Sequence, residues 1–254
     1  MDLNPAEKKW ARYFSSLLEK VSAQQGESRT PFADPRQQEL AQQLSRSFPA
    51  CSIFFDGGYP GAERARILVI PRTWPPRKEN FTIPVLIAGE FPPGMLNHRD
   101  FLGAILGLGI RREMVGDIIC REKETLVFLV PELAAFVAQN LQQVGRYPVH
   151  TTVLKEVPPN LIQGKGRVRE IQGTVASLRL DAVAGLGFGL SRSRITPLVR
   201  GEQVKLNHQL ISQPSRPVKE GDLISLAGRG RVEVVEILGE TRKGRISLKL
   251  RRML

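Results

Sequence analysis

Long apolar runs, cysteines, histidines and aromatics are all scarce in this 254-residue chain, and each scarcity removes a class of function. No stretch approaches the ~20 consecutive apolar residues needed to cross a bilayer. The start Met1-Asp2-Leu3-Asn4-Pro5 lacks a basic flank followed by an apolar segment, so no secretion signal is expected and the expected location is cytoplasmic. The two cysteines, Cys51 and Cys120, lie in apolar, strand-like contexts without the paired spacing of a zinc site, and read as reduced, buried thiols. His98, His150 and His208 are far apart in sequence, so neither a metal site nor a cofactor is expected. Aromatics make up 6% of the chain, and the last 90 residues contain only Phe188, which excludes a multi-base stacking platform there. Hydrophobic residues (41%) and charged residues (24%) are present in ordinary globular proportion, so wholesale disorder is excluded, and the length favours two or three small domains over one core.

What the chain has in excess is positive charge. The formal net charge is +12, and residues 165–254 hold 18 Lys/Arg against 8 Asp/Glu, whereas residues 1–164 hold 19 against 17. The last third therefore carries +10 of the total. A field of this kind attracts polyanions through counterion release and makes binding strongly salt-dependent.

Three segments follow from the local patterns. Residues 1–50 read as a helical segment. Asn4-Pro5-Ala6-Glu7 and Asp34-Pro35-Arg36-Gln37 each give a cap, a first-turn proline and a reciprocal residue three positions after the cap. Trp10, Phe14, Leu17, Leu18 and Val21 share one helical face, and residues 24–31 read as a polar linker. Residues 51–160 switch to short apolar runs with two helices between them, in β-β-α-β-β-α-β order. That order predicts one sheet with two helices, an α+β sandwich of ferredoxin-like or RNA-recognition-motif type, although no basic-aromatic RNA-recognition run is present. Gly107 and Gly109 lack the third glycine of a dinucleotide fingerprint and read as close packing and a helix stop; Arg111 and Arg112 read as a solvated helix end, with contact to phosphate as the alternative.

Residues 161–254 read as a small α+β domain. Two short helices are expected, the second opened by Ser191-Arg-Ser-Arg194, where a Ser191 cap, the helix dipole, Arg192 and Arg194 converge on one phosphate. Beyond Gly201 the period becomes two. In the last strand Ile246, Leu248 and Leu250 alternate with Arg245, Ser247, Lys249 and Arg251, placing a row of cations on one sheet face.

Arg179-Leu-Asp181, Phe188-Gly-Leu-Ser-Arg192, Gly201-Glu-Gln-Val-Lys-Leu-Asn207 and Glu220-Gly-Asp222 together resemble the RNA-binding domain named after ribosomal small-subunit protein four, over roughly residues 175–230. Gly228-Arg-Gly-Arg231 and Thr241-Arg-Lys-Gly-Arg245, with His98-Arg-Asp-Phe-Leu-Gly103 and Leu108-Gly-Ile-Arg-Arg-Glu113, extend the resemblance to the YlmH-type bacterial proteins. The resemblance implies a non-enzymatic factor that binds ribosomal RNA and tRNA on the large ribosomal subunit, in ribosome-associated quality control of stalled translation. It implies RNA contacts at Arg179, Ser191, Arg192, Arg194, Arg200, Lys205 and Asn207; charge and turn position add Arg229, Arg231, Arg242, Lys243 and Arg245. Departures from the family pattern are Pro197 inside the second helix, Ala227 in place of an arginine, and His208, which reads as a turn residue. The alternatives are an RNA-modifying enzyme of pseudouridine-synthase type with Asp181 as nucleophile, and a general DNA-binding protein. In the preferred reading, rigidly held arginines meet the phosphates of a folded RNA.

Overall fold

In the computed structural model the described residues are 3–75, 81–92, 94–121, 123–158, 168–226, 228–242 and 244–253. The chain divides into two units, residues 1–163 and 164–254. No helix among the described residues is long and apolar enough to cross a membrane.

The first unit begins with two helices, α1 (Pro5–Gln24) and α2 (Pro35–Ser45), each closed at its start by a reciprocal capping box, Asn4 with Glu7 and Asp34 with Gln37. Both apolar faces lie on a three-stranded antiparallel sheet of β1 (Ser28–Arg29), β2 (Cys51–Asp56) and β3 (Arg66–Pro71), in the order β1-β3-β2. Phe14, Leu18, Val21 and Ala41 meet Ile67 and Val69 there in one buried cluster. The expected polar linker at 24–31 is instead an edge strand with a buried anchor. Thr30 accepts the Ile67 amide at 2.9 Å and donates to the Pro31 carbonyl at 2.7 Å. A two-residue strand of polar residues leaves no period to read.

The remainder of the unit contains β4 (Ile83–Ala88), α3 (His98–Gly107), β5 (Val115–Cys120), β6 (Glu124–Leu129), α4 (Pro131–Asn140), a small hairpin of β7 (Gln143–Val144) and β8 (Tyr147–Pro148), and β9 (His150–Val153). Its four-stranded sheet runs β5-β6-β4-β9 with every pairing antiparallel, which is the connectivity of two interleaved split β-α-β units. The helices bury Phe101, Ile105, Ala134 and Val137 against Val85, Ile87, Val127 and Leu129. The single sheet expected for 51–160 is therefore two sheets, because β2 and β3 pair with β1 and not with β4. All six positions of β3 are buried, and a strand enclosed on both faces shows a continuous apolar run that names no partner. Gly109 (φ +84°) stops α3 as expected, but Gly107 has nothing within 4 Å of a Cβ placed on it, so no close packing requires it.

The opposite face of the four-stranded sheet is also covered. Phe128 on β6 is fully buried, stacked on Tyr59 at 4.9 Å between centroids, and Phe32 joins the same cluster. Gly58 (φ +87°) lies so close that a Cβ would stand 2.3 Å from the Phe128 ring. Asp117 on β5 ties down the covering segment, accepting the Tyr59 hydroxyl and the Glu63 amide at 2.7 Å each and the Arg64 amide at 3.0 Å.

The second unit is a six-stranded antiparallel sheet in the order β10-β15-β14-β13-β11-β12, with two helices on one face. Its elements are β10 (Val168–Val175), α5 (Leu180–Phe188), α6 (Arg192–Arg200), β11 (Val204–Leu206), β12 (Gln209–Leu210), β13 (Leu223–Leu226), β14 (Gly230–Glu240) and β15 (Ile246–Met253). Leu180, Val183, Phe188, Ile195 and Val199 pack on Ile224, Val232, Val234, Leu248 and Leu250. Gly187 lets α5 approach β14, since a Cβ there would meet Val232 Cγ1 at 2.6 Å. The mixed α+β class and the pair of short helices match the expectation, and α6 continues through Pro197 to Arg200.

Candidate nucleic-acid interface

The charged surface of the second unit is organised around one buried carboxylate. Asp181, in the first turn of α5, is 1% exposed. Its Oδ1 accepts Arg179 Nε at 3.1 Å, and its Oδ2 accepts Arg179 Nη2 at 3.2 Å and Arg192 Nε at 3.0 Å. The arginines themselves remain in solvent, with side chains 37% and 65% exposed. Burial raises the carboxyl pKa, but the hydrogen bonds and charges of Arg179 and Arg192 outweigh it and hold the group below its ordinary value. Each guanidinium is thus fixed through one edge and presents the other to water, an arrangement that positions planar donors before any phosphate arrives.

The loop after β12 reinforces this corner. The Leu180 amide donates to the Arg216 carbonyl at 2.9 Å, the Asp181 amide to the Pro214 carbonyl at 3.0 Å, and Arg179 bridges to Pro217. Exposed Arg216 is thereby anchored beside Arg179, a neighbour that no periodicity in the sequence announces.

At the start of α6 the geometry departs from expectation. Ser191 occupies the cap position, yet its hydroxyl makes no capping bond and pairs with the Ser193 hydroxyl at 2.9 Å. Arg192 and Arg194 leave the helix roughly 200° apart around its axis, so they do not converge on a single phosphate; Arg192 turns to Asp181. Arg194 and Arg200 are exposed on α6, and Lys205 is exposed on β11.

Asn207 forms the β11–β12 turn with His208, at φ +48° and +67°. Its side chain is engaged within the domain, donating to Asp222 Oδ1 at 2.8 Å and accepting the Leu223 amide at 2.9 Å. Asp222 also accepts the Lys219 amide at 2.9 Å, so this part of the motif braces the turn.

The expected row of cations on the sheet is half neutralised. Cross-strand register sets Arg251 between Glu170 and Glu233, and Lys249 beside Glu236. Arg251 pairs with Glu233 at 3.2 Å and Lys249 with Glu170 at 3.1 Å. Alternation within one strand predicts which side chains share a face but not the charges its neighbours bring. Arg245 is tied to Thr174, through Oγ1 at 2.9 Å and the carbonyl at 2.7 Å. Arg229 and Arg242 are exposed and Arg231 is half-buried on β14. Lys243, Ala227 and residues 159–167 lie outside the described residues.

Arg252 is a residue that sequence reading passed over. Its guanidinium lies over the Phe188 ring at 5.7 Å, and its two Nη groups reach the carbonyls of Phe188 and Arg229 at 3.4 Å each. It fastens the turn carrying Arg229 to the carboxyl end of α5, where a cation is favoured by the helix dipole. The available signal was parity: Arg252 falls on the core side of a strand whose other inward residues are apolar.

In the first unit Arg111 faces solvent beside Glu113 at 3.4 Å, whereas Arg112 is not a solvated helix end. It donates to the Val115 carbonyl, and burial lowers its pKa to about 10.

Comparison with known proteins places these features. A family model described as a putative RNA-binding domain in YlmH matches residues 76–157, and the S4 domain matches residues 178–224. The chain is 33% identical to the Bacillus subtilis ribosome-associated protein quality control protein P2 over 217 residues, 84% of this chain and 82% of that protein. It is 36% identical to small ribosomal subunit protein uS4 of Acidithiobacillus ferrooxidans over 73 residues, 28% of this chain and 35% of that one. The solved structure of the cell division protein YlmH from Streptococcus pneumoniae aligns with a TM-score of 0.53 at 21% identity, covering 61% of this chain and 94% of that one, and thus shares its fold.

Proposed function

The chain belongs to the YlmH family, and from that premise we propose that it is a non-enzymatic RNA-binding factor of ribosome-associated quality control, acting on the large ribosomal subunit where ribosomal RNA and tRNA meet. The observation that carries this reading is the Asp181-centred pair of arginines. Two guanidinium groups from different elements are held rigid by one buried carboxylate while their free edges face outward, with Arg194, Arg200, Arg216 and Arg229 exposed on the same domain. With Phe188 fully in the core and no other aromatic in this unit, recognition rests on phosphates and 2′-hydroxyls presented by a folded RNA.

A nucleophilic role for Asp181 finds no support in this geometry, since both oxygens are occupied and the group is buried. The four-stranded sheet of the first unit does not offer its Phe128 face for base stacking either, because Phe32 and Tyr59 cover it. The test is cosedimentation of the full chain with large ribosomal subunits carrying peptidyl-tRNA, over a salt series. The wild type should bind with a steep salt dependence, and Arg179→Ala/Arg192→Ala should lose about a hundredfold in affinity. Salt-insensitive binding, or an unaffected double variant, overturns the reading.

A further inference from the structure

The outward side of α1 belongs to neither matched domain, and its charge is arranged unlike that of the neighbouring α2. Lys8, Lys9, Arg12 and Lys20 are exposed along it, and Tyr13, 40% exposed, lies among them. Of the two acids of the helix, Glu7 is withdrawn from this surface. It accepts Arg36 Nε at 2.7 Å and the Asn4 amide at 2.9 Å, which leaves Glu19 as the helix's other acid. None of the four cations has an acid three or four positions away. Instead Lys8 and Arg12 stand four apart and Lys9 and Arg12 three apart, spacings at which like charges repel on a helix.

The neighbouring helix shows the ordinary solution, since Arg36 is shared between Glu7 and Glu39. A surface that serves only to keep a helix in water is usually laced with opposite charges in that manner. On α1, positions 9, 12, 13, 16 and 20 occupy an arc of roughly 100° and cover about 16 Å of helix axis, so the cations form a strip with a half-exposed ring in the middle. In the four-stranded sheet the face that carries Phe128 is covered by Phe32 and Tyr59 and so is not open to bases.

We propose that the outward side of α1 is a second RNA-contacting surface, with Lys9, Arg12 and Lys20 on backbone phosphates and Tyr13 against a sugar or base. It rests on the reading of the partner as a folded RNA and adds a site in the other unit. The repulsion between Arg12 and its two lysines is relieved when phosphates enter between them. Accordingly, removing these charges weakens RNA binding without loss of stability.

The experiment uses the full-length protein, labelled with nitrogen-15, titrated with bulk tRNA and with a 20-base-pair RNA hairpin, and the variant Lys9→Gln/Arg12→Gln/Lys20→Gln. Expected are amide shifts on α1 as well as on α5 and α6. In the variant the slope of log affinity against log salt should fall by about one for each contact removed, at an unchanged or higher melting temperature. Shifts on α5 and α6 with α1 silent overturn this proposal and leave the proposed function standing. Shifts on α1 alone support it while removing the Asp181 corner as the site. An α1 response to a polyglutamate peptide but not to either RNA also overturns it, in favour of an acidic protein partner.

Discussion

Arg66 in the first unit and Arg179 and Arg192 in the second are arginines put to opposite uses. In the first, Arg66 is 6% exposed and donates to the carbonyls of Thr30 and Phe81, Arg64 reaches the carbonyl of Phe32, and Arg112 serves Val115. These side chains join segments, and burial lowers the pKa of all three. In the second unit the anchor is the acid. Asp181 is buried, and Arg179 and Arg192 are exposed around it. Arg66 and Arg179 each commit two of a guanidinium's five donor hydrogens, so burial separates them: the remaining donors of Arg66 are enclosed, whereas those of Arg179 face water. The sign of a residue's charge says nothing about which of these it does.

Arg66→Leu should break the first arrangement most severely. Two buried carbonyls lose their donor, and the first unit should lose about 3 kcal/mol. Both tryptophans, Trp10 and Trp74, lie in that unit, so urea unfolding followed by tryptophan fluorescence reads it alone; RNA affinity below the transition should not change. Asp181→Asn should have a smaller effect on stability, about 1–2 kcal/mol, because its partners are open to solvent.

The same carboxylate makes a pH prediction. Its folded pKa is depressed, so the stabilisation is fully present above the unfolded carboxylate value of about 3.9 and is lost as pH falls through the folded pKa. Amide intensities of the second unit in urea at pH 6, 4 and 3 should show that decline in the wild type and a weaker one in Asp181→Asn. Arg192→Ala should reverse the Arg66 result, with affinity for large ribosomal subunits down about tenfold and stability within ~0.5 kcal/mol. Lys249→Ala should do least, under ~0.5 kcal/mol in stability and little in affinity, because Glu170 already neutralises it. An Lys249→Ala loss equal to that of Arg192→Ala would sink the distinction between paired and presented cations.

Much of this was legible from local pattern. Both amino-terminal capping boxes form as the spacing requires, since an N-cap and its partner three residues on meet within one turn. The alternation of Ile246, Leu248 and Leu250 does put one side of β15 into the core. Where reading failed, the deciding partner was remote. The division of the strands between two sheets depends on β1, thirty-nine or more positions before its partners Leu68 and Val69. Ser191 looked like a cap because its residue type suits one, yet a hydroxyl has two nearby choices and took Ser193. Arg216 became visible only with its neighbour Leu180, and Arg252, although its parity was readable, found its role only with Phe188.

The order of residues by itself settled where helices begin, that the last third is basic, and that its motifs belong to an RNA-binding domain, because caps, charge and motif spacing are properties of short segments. Which cations are spent inside, which are paired across strands and which stand ready at the surface was settled only by the folded chain. Each of those fates depends on a carbonyl or carboxylate brought in from another element. Arg192 meets Asp181 across eleven positions and Arg252 meets Phe188 across sixty-four, and burial and pairing are created by that meeting.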